Sequence, residues 1–174
     1  MSNNKMMKLA KLRHSGQFRN ARPGEKPVPY FKHPEAVVKN LFDWGEPETS
    51  AAISIAWGHD LLEETTATEQ EILDASDETV LEAIRVLTFR KGLKSRYLRN
   101  VARSGDRNIL LVKISDRIQN SRDFISYSGR QSALEYLHKA DCIYTAVRKL
   151  PSDPVLEKAV AAWQELDQSL QNPD

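Results

Sequence analysis

A chain of 174 residues with 40% apolar and 28% charged side chains has the size and make-up of one globular domain with a real core, so folding requires neither disulfides nor a structural metal. The formal net charge of +1 gives no global field for nucleic acid or a membrane surface, and no apolar run approaches the roughly 18–20 residues of a membrane span. The single cysteine, Cys142, has no internal partner and fits a reducing compartment; with the basic Met1–Leu12 stretch lacking the features of a secretory signal, the expected location is the cytoplasm.

In chain order, the spacing predicts a first helix over Met6–Gln17, with Leu9, Leu12 and Met6 on one face. Arg19–Pro29 holds three prolines and a glycine and reads as a loop. His33-Pro34 opens a second helix, where Pro suits the first turn and Glu35 suits the dipole; Val37, Val38, Leu41 and Phe42 give its apolar face. Ser50–Glu64 is predicted as one continuous helix. Thr68 and Glu71 have capping-box spacing at the start of a helix over Glu69–Ala75. Further helices are expected over Asp77–Thr88, with Val80, Ile84 and Leu87 inward, over Lys94–Ala102, and over Arg107–Asn120, apolar through Leu110, Leu111, Ile114 and Ile118. Ser132–Lys149 and Pro154–Leu170 complete the set, with Pro151 and Pro154 between them. Cys142 is expected as a small buried hydrophobe in the apolar stretch Ala140–Leu150. No convincing period-2 strand appears, so the expected class is all-α, a bundle of about seven to nine helices.

Three segments carry titratable groups in unusual settings. In His59-Asp60-Leu61-Leu62-Glu63-Glu64, a helical rotation of about 100° per residue places His59, Asp60, Glu63 and Glu64 within an arc of about 140°. Alone, this is an acidic face in water. The stretch before it, Ala51–Gly58, is almost entirely apolar or small, which points to burial, and buried carboxylates and imidazoles must be paired or bound to metal. Imidazole with carboxylate is a ligand set for manganese, iron or zinc. Asp116 and Asn120 face the same way, four residues apart, after an apolar run; an ion pair of Asp116 with Lys113 or Arg117 is the alternative to metal binding there. His33 stands at a helix start after a Pro-rich loop, either as a hydrogen-bonded structural residue or projecting into a site.

The order His33, His59-Asp60, Asp116 resembles the H…HD…D signature of HD-type metal-dependent phosphohydrolases. Five blocks extend the likeness: His14-Ser15-Gly16-Gln17-Phe18-Arg19, Pro29-Tyr30 with His33-Pro34, His59-Asp60 with Glu63-Glu64-Thr65, Leu87-Thr88 with Lys91, and Val112–Arg117 with Asn120. Together they resemble the hydrolase domain of RelA/SpoT proteins, above all the stand-alone small alarmone hydrolases related to metazoan SpoT homologues. The match runs from about Lys8 to about Leu150, within a single HD-type domain spanning 1–174 whose residues 151–174 form a helix on the core.

The resemblance implies removal of the 3′-pyrophosphate of guanosine tetra- or pentaphosphate with one Mn²⁺ ion. It implies metal ligation by His33, His59, Asp60 and Asp116, water activation by Glu63 and Glu64, and a nucleotide pocket lined by Arg19 and Asn120. Lys113 and Arg117 add positive charge for substrate phosphates. His14 is left outside the metal set. The chain departs from the family pattern at Glu64 (usually Asp), Gln119 (usually His) and Asn20 (usually basic), and in a loop between Arg19 and Pro29 about three residues longer than typical.

No phosphate-binding Gly-rich loop, CxxC, HExxH or Ser-nucleophile elbow occurs. Arg90–Arg96, with Arg99 and Arg103, is a basic stretch, either a solvated helix face or a second phosphate contact. Two further functions stay open: an HD hydrolase of another phosphate ester, such as a nucleoside monophosphate or NADPH, and a degenerate HD domain acting as a binding module. Expected partners are a nucleotide substrate, with neither nucleic acid nor membrane, in a monomer or small homo-oligomer.

Overall fold

Residues 51–58, the most apolar stretch of the chain, form the central helix of an all-α bundle in the computed structural model, which describes residues 2–19, 24, 26–89 and 94–172. The elements are α1 (Ser2–Arg13), β1 (Phe18–Arg19), β2 (Val28–Pro29), α2 (Lys32–Trp44), α3 (Ala51–Gly58), the single turn α4 (Leu61–Glu64), α5 (Glu69–Ala75), α6 (Glu78–Leu87), α7 (Lys94–Arg103), α8 (Arg107–His138), α9 (Asp141–Val147) and α10 (Pro154–Gln171). None of the described helices is long and apolar enough to cross a membrane.

Ser50 caps α3 by accepting from the Ala52 N–H at 3.1 Å. Every residue from Ala52 to Gly58 is buried, because a helix with no polar face has to be surrounded; α1, α2, α6 and α8 all pack on it. Gly58 makes that close approach feasible. A Cβ there would stand 2.5 Å from Met6 Cε and 2.6 Å from Ile84 Cδ1, so α1 and α6 lie almost against the α3 backbone.

The capping box read from the sequence forms. Thr68 and Glu71 make a reciprocal capping box on α5, and Asp77, Asp106 and Asp153 cap α6, α8 and α10. Five elements differ from their predicted forms. Helix α1 ends at Arg13, four residues early, and its buried face is Met6 and Ala10, while Leu12 is 67% exposed. The Pro-rich segment predicted as loop contributes β2, whose Val28 and Pro29 pair antiparallel with Arg19 and Phe18; two-residue strands are too short to leave a periodic signal. The predicted helix over Ser50–Glu64 is interrupted at His59-Asp60, where Asp60 adopts φ −101°, ψ −4°. Helix α8 runs on past Asn120 to His138, broken only at Gly129 (φ 81°, ψ 169°), a conformation that glycine adopts without a Cβ clash; the helix predicted over Ser132–Lys149 is split at Lys139-Ala140. Phe42 is exposed rather than buried, and Cys142 is half-buried at the edge of the core. The departure at Asn20, the motif residue Lys91 and the basic residues Arg90–Leu93 lie outside the described residues.

At the end of the bundle remote from α4, Arg107 binds Glu46 at 2.9 Å and Asp153 at 2.8 Å, joining the α2–α3 connection to the start of α10. The hydrogen bond from Arg107 holds the Asp153 carboxyl below its ordinary value. A carboxyl depressed in the folded state stabilises the fold above its unfolded pKa of about 3.9, and that stability is lost as pH falls through the depressed value. Asp153→Asn is therefore expected to melt at a lower temperature than the parent at neutral pH. The difference should shrink as pH falls from about 5 to about 2, which thermal melts across that window measure.

Candidate metal centre

Each predicted ligand is delivered by a different local device. His33 lies in the first turn of α2, its N–H bonded to the Tyr30 carbonyl at 2.9 Å. His59 and Asp60 occupy the interruption between α3 and α4. Asp60 sits in the bridge region of backbone space, where active-site residues are frequently found. Asp116 lies on α8 amid Ile114, Ser115, Arg117 and Ile118, all buried. A polar seam fastens α2 to α8: Asn40 Nδ2 donates to Ser115 Oγ at 3.1 Å, Ser115 Oγ donates to the Val37 carbonyl at 3.1 Å, and Gln119 Nε2 donates to Asn40 Oδ1 at 2.9 Å. It sets the distance between the helices carrying His33 and Asp116. Gln119, a departure from the family pattern, thus points to α2.

The four side chains converge. His33 Nε2 lies 3.1 Å from Asp116 Oδ1, 3.5 Å from Asp60 Oδ2 and 3.3 Å from His59 Nε2. His59 Nε2 is 3.2 Å from Asp60 Oδ1 and 3.7 Å from Asp116 Oδ1. Ligands about 2.1 Å from one ion stand about 3.0 Å apart in cis-octahedral and about 3.4 Å apart in tetrahedral geometry, so the set fits a transition-metal ion with mixed nitrogen and oxygen ligands. The ligand atoms of His33, His59 and Asp60 all lie within 4.8 Å of one another.

The surroundings orient this set for a cation. His59 Nδ1 lies 2.8 Å from the Ala56 carbonyl, which accepts its proton and leaves Nε2 facing the cluster. The Tyr30 hydroxyl donates to Asp60 Oδ2 at 2.9 Å, and Lys113 Nζ donates to Asp116 Oδ2 at 2.8 Å. Burial disfavours charge on both carboxylates, yet His59 beside Asp60 and Lys113 beside Asp116 outweigh it, and both are held below the ordinary carboxylate range. Burial likewise opposes a charged His59, but Asp60 and then Asp116 push it up to about 10. Two carboxylates kept ionised against two inward imidazoles make a cluster arranged around positive charge.

Asp60 and Asp116 of the cluster line a cavity of about 990 Å³, together with Arg19, Tyr30, Glu63, Glu64 and Asn120 among others. Glu63 and Glu64 have exposed side chains on its rim. Partial burial, with Asp60 nearby, pushes both carboxyls up. Glu63 is anchored by the Phe89 N–H at 2.8 Å. Arg19 donates to Asn120 Oδ1 and lies 5.5 Å over the Tyr30 ring, while Asn120 Nδ2 donates to Asp116 Oδ1. The two candidate pocket residues are thereby brought together. Lys113, the third, also lines the cavity, but its ammonium is only 12% exposed and engaged with Asp116. The Asp116–Lys113 ion pair offered as an alternative to metal binding is present alongside the cluster.

Sequence reasoning assigned no role to several residues here. Tyr30 holds Asp60, and His14 is buried and stacked on the Tyr30 ring at 4.6 Å, with Gln17 on its Nδ1 at 2.7 Å. The Pro29-Tyr30 block was visible in the sequence; its link to Asp60 needs the β1–β2 pairing.

No protein-family model matches the chain. Among curated proteins, the GTP pyrophosphokinase rsh of Brucella ovis is 36% identical over 129 residues, covering 68% of this chain and 16% of that protein. Its Brucella melitensis counterpart is 38% identical over 104 residues, covering 54% of this chain and 14% of that protein. The chain thus spans about one sixth of the length of these relatives. A solved structure described as a metazoan orthologue of SpoT, which hydrolyses ppGpp and plays a role in starvation responses, superposes with a TM-score of 0.78 over 97% of this chain and 94% of the other, at 19% identity; this likeness shows a shared fold.

Proposed function

We propose, from its standing as a RelA/SpoT hydrolase-like domain, that this chain removes the 3′-pyrophosphate of guanosine tetra- or pentaphosphate in a reaction dependent on one divalent metal ion, Mn²⁺. The observation that carries this reading is the convergence of His33, His59, Asp60 and Asp116, of which Asp60 and Asp116 line a nucleotide-sized cavity together with Glu63 and Glu64.

His33, His59, Asp60 and Asp116 would hold the ion, which when bound would acidify water and polarise a phosphoryl oxygen. Tyr30, Lys113 and the Ala56 carbonyl hold three of those ligands in place. Glu63 accepts the proton of the attacking water as its oxygen forms a bond to the phosphorus on the ribose 3′ oxygen. The bond between that phosphorus and the 3′ oxygen breaks, the proton held by Glu63 passes to the 3′ oxygen, and pyrophosphate leaves. Glu64, whose carboxyl partial burial also pushes up, orients the water beside it. Arg19 over Tyr30, with Asn120, forms the wall for the nucleoside.

Incubation with guanosine tetraphosphate, nucleoside monophosphates and NADPH, with products separated by chromatography, tests the substrate. GDP and pyrophosphate from the first, with little turnover of the others, is the expected result; preferential release of orthophosphate from a monophosphate overturns it. Glu63→Gln is expected to bind metal normally while kcat falls about 10²-fold or more, the scale of lost general-base help. Parent-like kcat removes Glu63 from that role.

A further inference from the structure

The segment His14-Ser15-Gly16-Gln17 has no part in the reaction above, yet both of its larger polar side chains are aimed at the supports of the metal centre. His14 is 2% exposed and follows α1, its N–H bonded to the Ala10 carbonyl at 3.0 Å. Gly16, at φ 77°, turns the chain back, and Gln17 Oε1 meets His14 Nδ1 at 2.7 Å. Gln17 Nε2 donates to the Glu64 carbonyl at 2.7 Å. That leaves Gln17 Oε1 as acceptor and His14 Nδ1 as donor. His14 Nε2 is buried with no partner among the described residues. Leaving a buried polar atom unpaired costs about 1–3 kcal/mol, which an apolar ring would not incur. An imidazole is therefore a poor filler here unless its ring face and its Nδ1 are both used.

The ring face is used on Tyr30. The two rings are stacked, with centroids 4.6 Å and planes 12° apart. Tyr30 is also held by its backbone: its N–H donates to the Gln17 carbonyl at 2.9 Å, which extends the β1–β2 pairing by one residue. With backbone and ring plane set in this way, the Tyr30 hydroxyl ends on Asp60 Oδ2. The Nδ1 bond is used on Gln17, which acts on the other side of the centre. Helix α4 is a single turn, too short to be stable alone, and the Glu64 carbonyl at its end has no following turn to satisfy it. The Gln17 amide supplies that missing donor. Burial holds the His14 pKa below its ordinary value, so the ring stays uncharged beside a cation.

We propose that His14 and Gln17 are a pair of positioning residues: the His14 ring fixes Tyr30 and through it the metal ligand Asp60, while Gln17 fixes the end of α4 and through it the carboxylate of Glu64. This rests on the reading of the centre as a metal-dependent phosphohydrolase, and the experiment separates the two.

Mn²⁺ affinity is measured by calorimetry on chelator-stripped protein, with kcat, KM and Tm on the same preparations. The residues behind a metal ligand typically contribute about 10–100-fold to metal affinity, so His14→Ala and Tyr30→Phe should each weaken Mn²⁺ binding by about tenfold or more. The double variant should be no weaker than the worse single one, because both substitutions act through one bond to Asp60. His14→Phe keeps a ring on Tyr30 but releases Gln17. It should recover most of the Mn²⁺ affinity while kcat stays about 2–10-fold low, the scale of one neutral hydrogen bond, with KM nearly unchanged. Gln17→Met should lower kcat to the same extent and leave Mn²⁺ affinity near the parent's. Parent-like Mn²⁺ affinity in His14→Ala, or losses that add in the double variant, overturns the role of the stack. A fall in Tm with Mn²⁺ affinity and kcat unchanged makes His14 a packing residue and overturns the proposal. If His14→Ala does not fold, Gln17→Met and His14→Phe decide it, and unchanged kcat in both overturns the pair. Loss of Mn²⁺ affinity as expected in His14→Ala, with no cleavage of guanosine tetraphosphate by the parent, sinks the proposed reaction and leaves the positioning role standing.

Discussion

His59→Ala protein is expected to fold, to retain no stoichiometric divalent metal, and to hydrolyse guanosine tetraphosphate at least about 10³-fold more slowly than the parent. The size follows from the several kcal/mol that a bound cation contributes to phosphoryl transfer, at about 1.4 kcal/mol per tenfold. His59 is the most informative of the four ligands to remove. The Ala56 carbonyl accepts its Nδ1 proton, so the lost group is an oriented ring nitrogen. Asp116 is a harder substitution to interpret, since its loss also strands the buried Lys113 ammonium. Elemental analysis, turnover and a thermal melt on one preparation separate loss of ligation from loss of fold. Full metal content in His59→Ala removes His59 from the ligand set.

The largest stability effect is expected at the opposite end of the molecule. In Arg107→Ala the buried Glu46 carboxylate loses its guanidinium and keeps only the Ser50 hydroxyl among the described residues. Breaking a buried pair from one side is destabilising by about 3–5 kcal/mol; with about a third of Arg107 in water, the low end, about 3 kcal/mol, applies. For a domain of this size that is a fall in Tm of about 6–12 °C. Hydrolysis at room temperature should change little, because Arg107 is remote from the cavity lining. A double substitution with Glu46→Gln should recover part of the loss, since the stranded charge is then gone. An unchanged Tm in the single variant sinks this account of the Arg107 network.

The all-α class and the capping box of α5 were legible because they rest on local chemistry: capping residues at fixed offsets and apolar faces of helical period. The motif blocks added the partnership of His33 with residues far along the chain, which periodicity cannot supply. Where local arithmetic assumed an unbroken helix, it missed the interruption at His59-Asp60, and that interruption is what turns Asp60 towards Tyr30 and His33. Leu12 shows the same limit from the other side: its spacing suits a buried face, but α1 lies on α3 through Met6 and Ala10. Lys113 was legible as a cation near the cavity, whereas its bond to Asp116 depends on both groups being buried together.

Metal content measured alongside hydrolysis bears most directly on the centre. Purified protein, stripped with chelator and reloaded with Mn²⁺, should bind one ion per chain and recover cleavage of guanosine tetraphosphate to GDP and pyrophosphate in proportion to that ion. Undiminished cleavage by stripped protein, or no ion bound at saturating Mn²⁺, contradicts the assignment of His33, His59, Asp60 and Asp116 as its ligands.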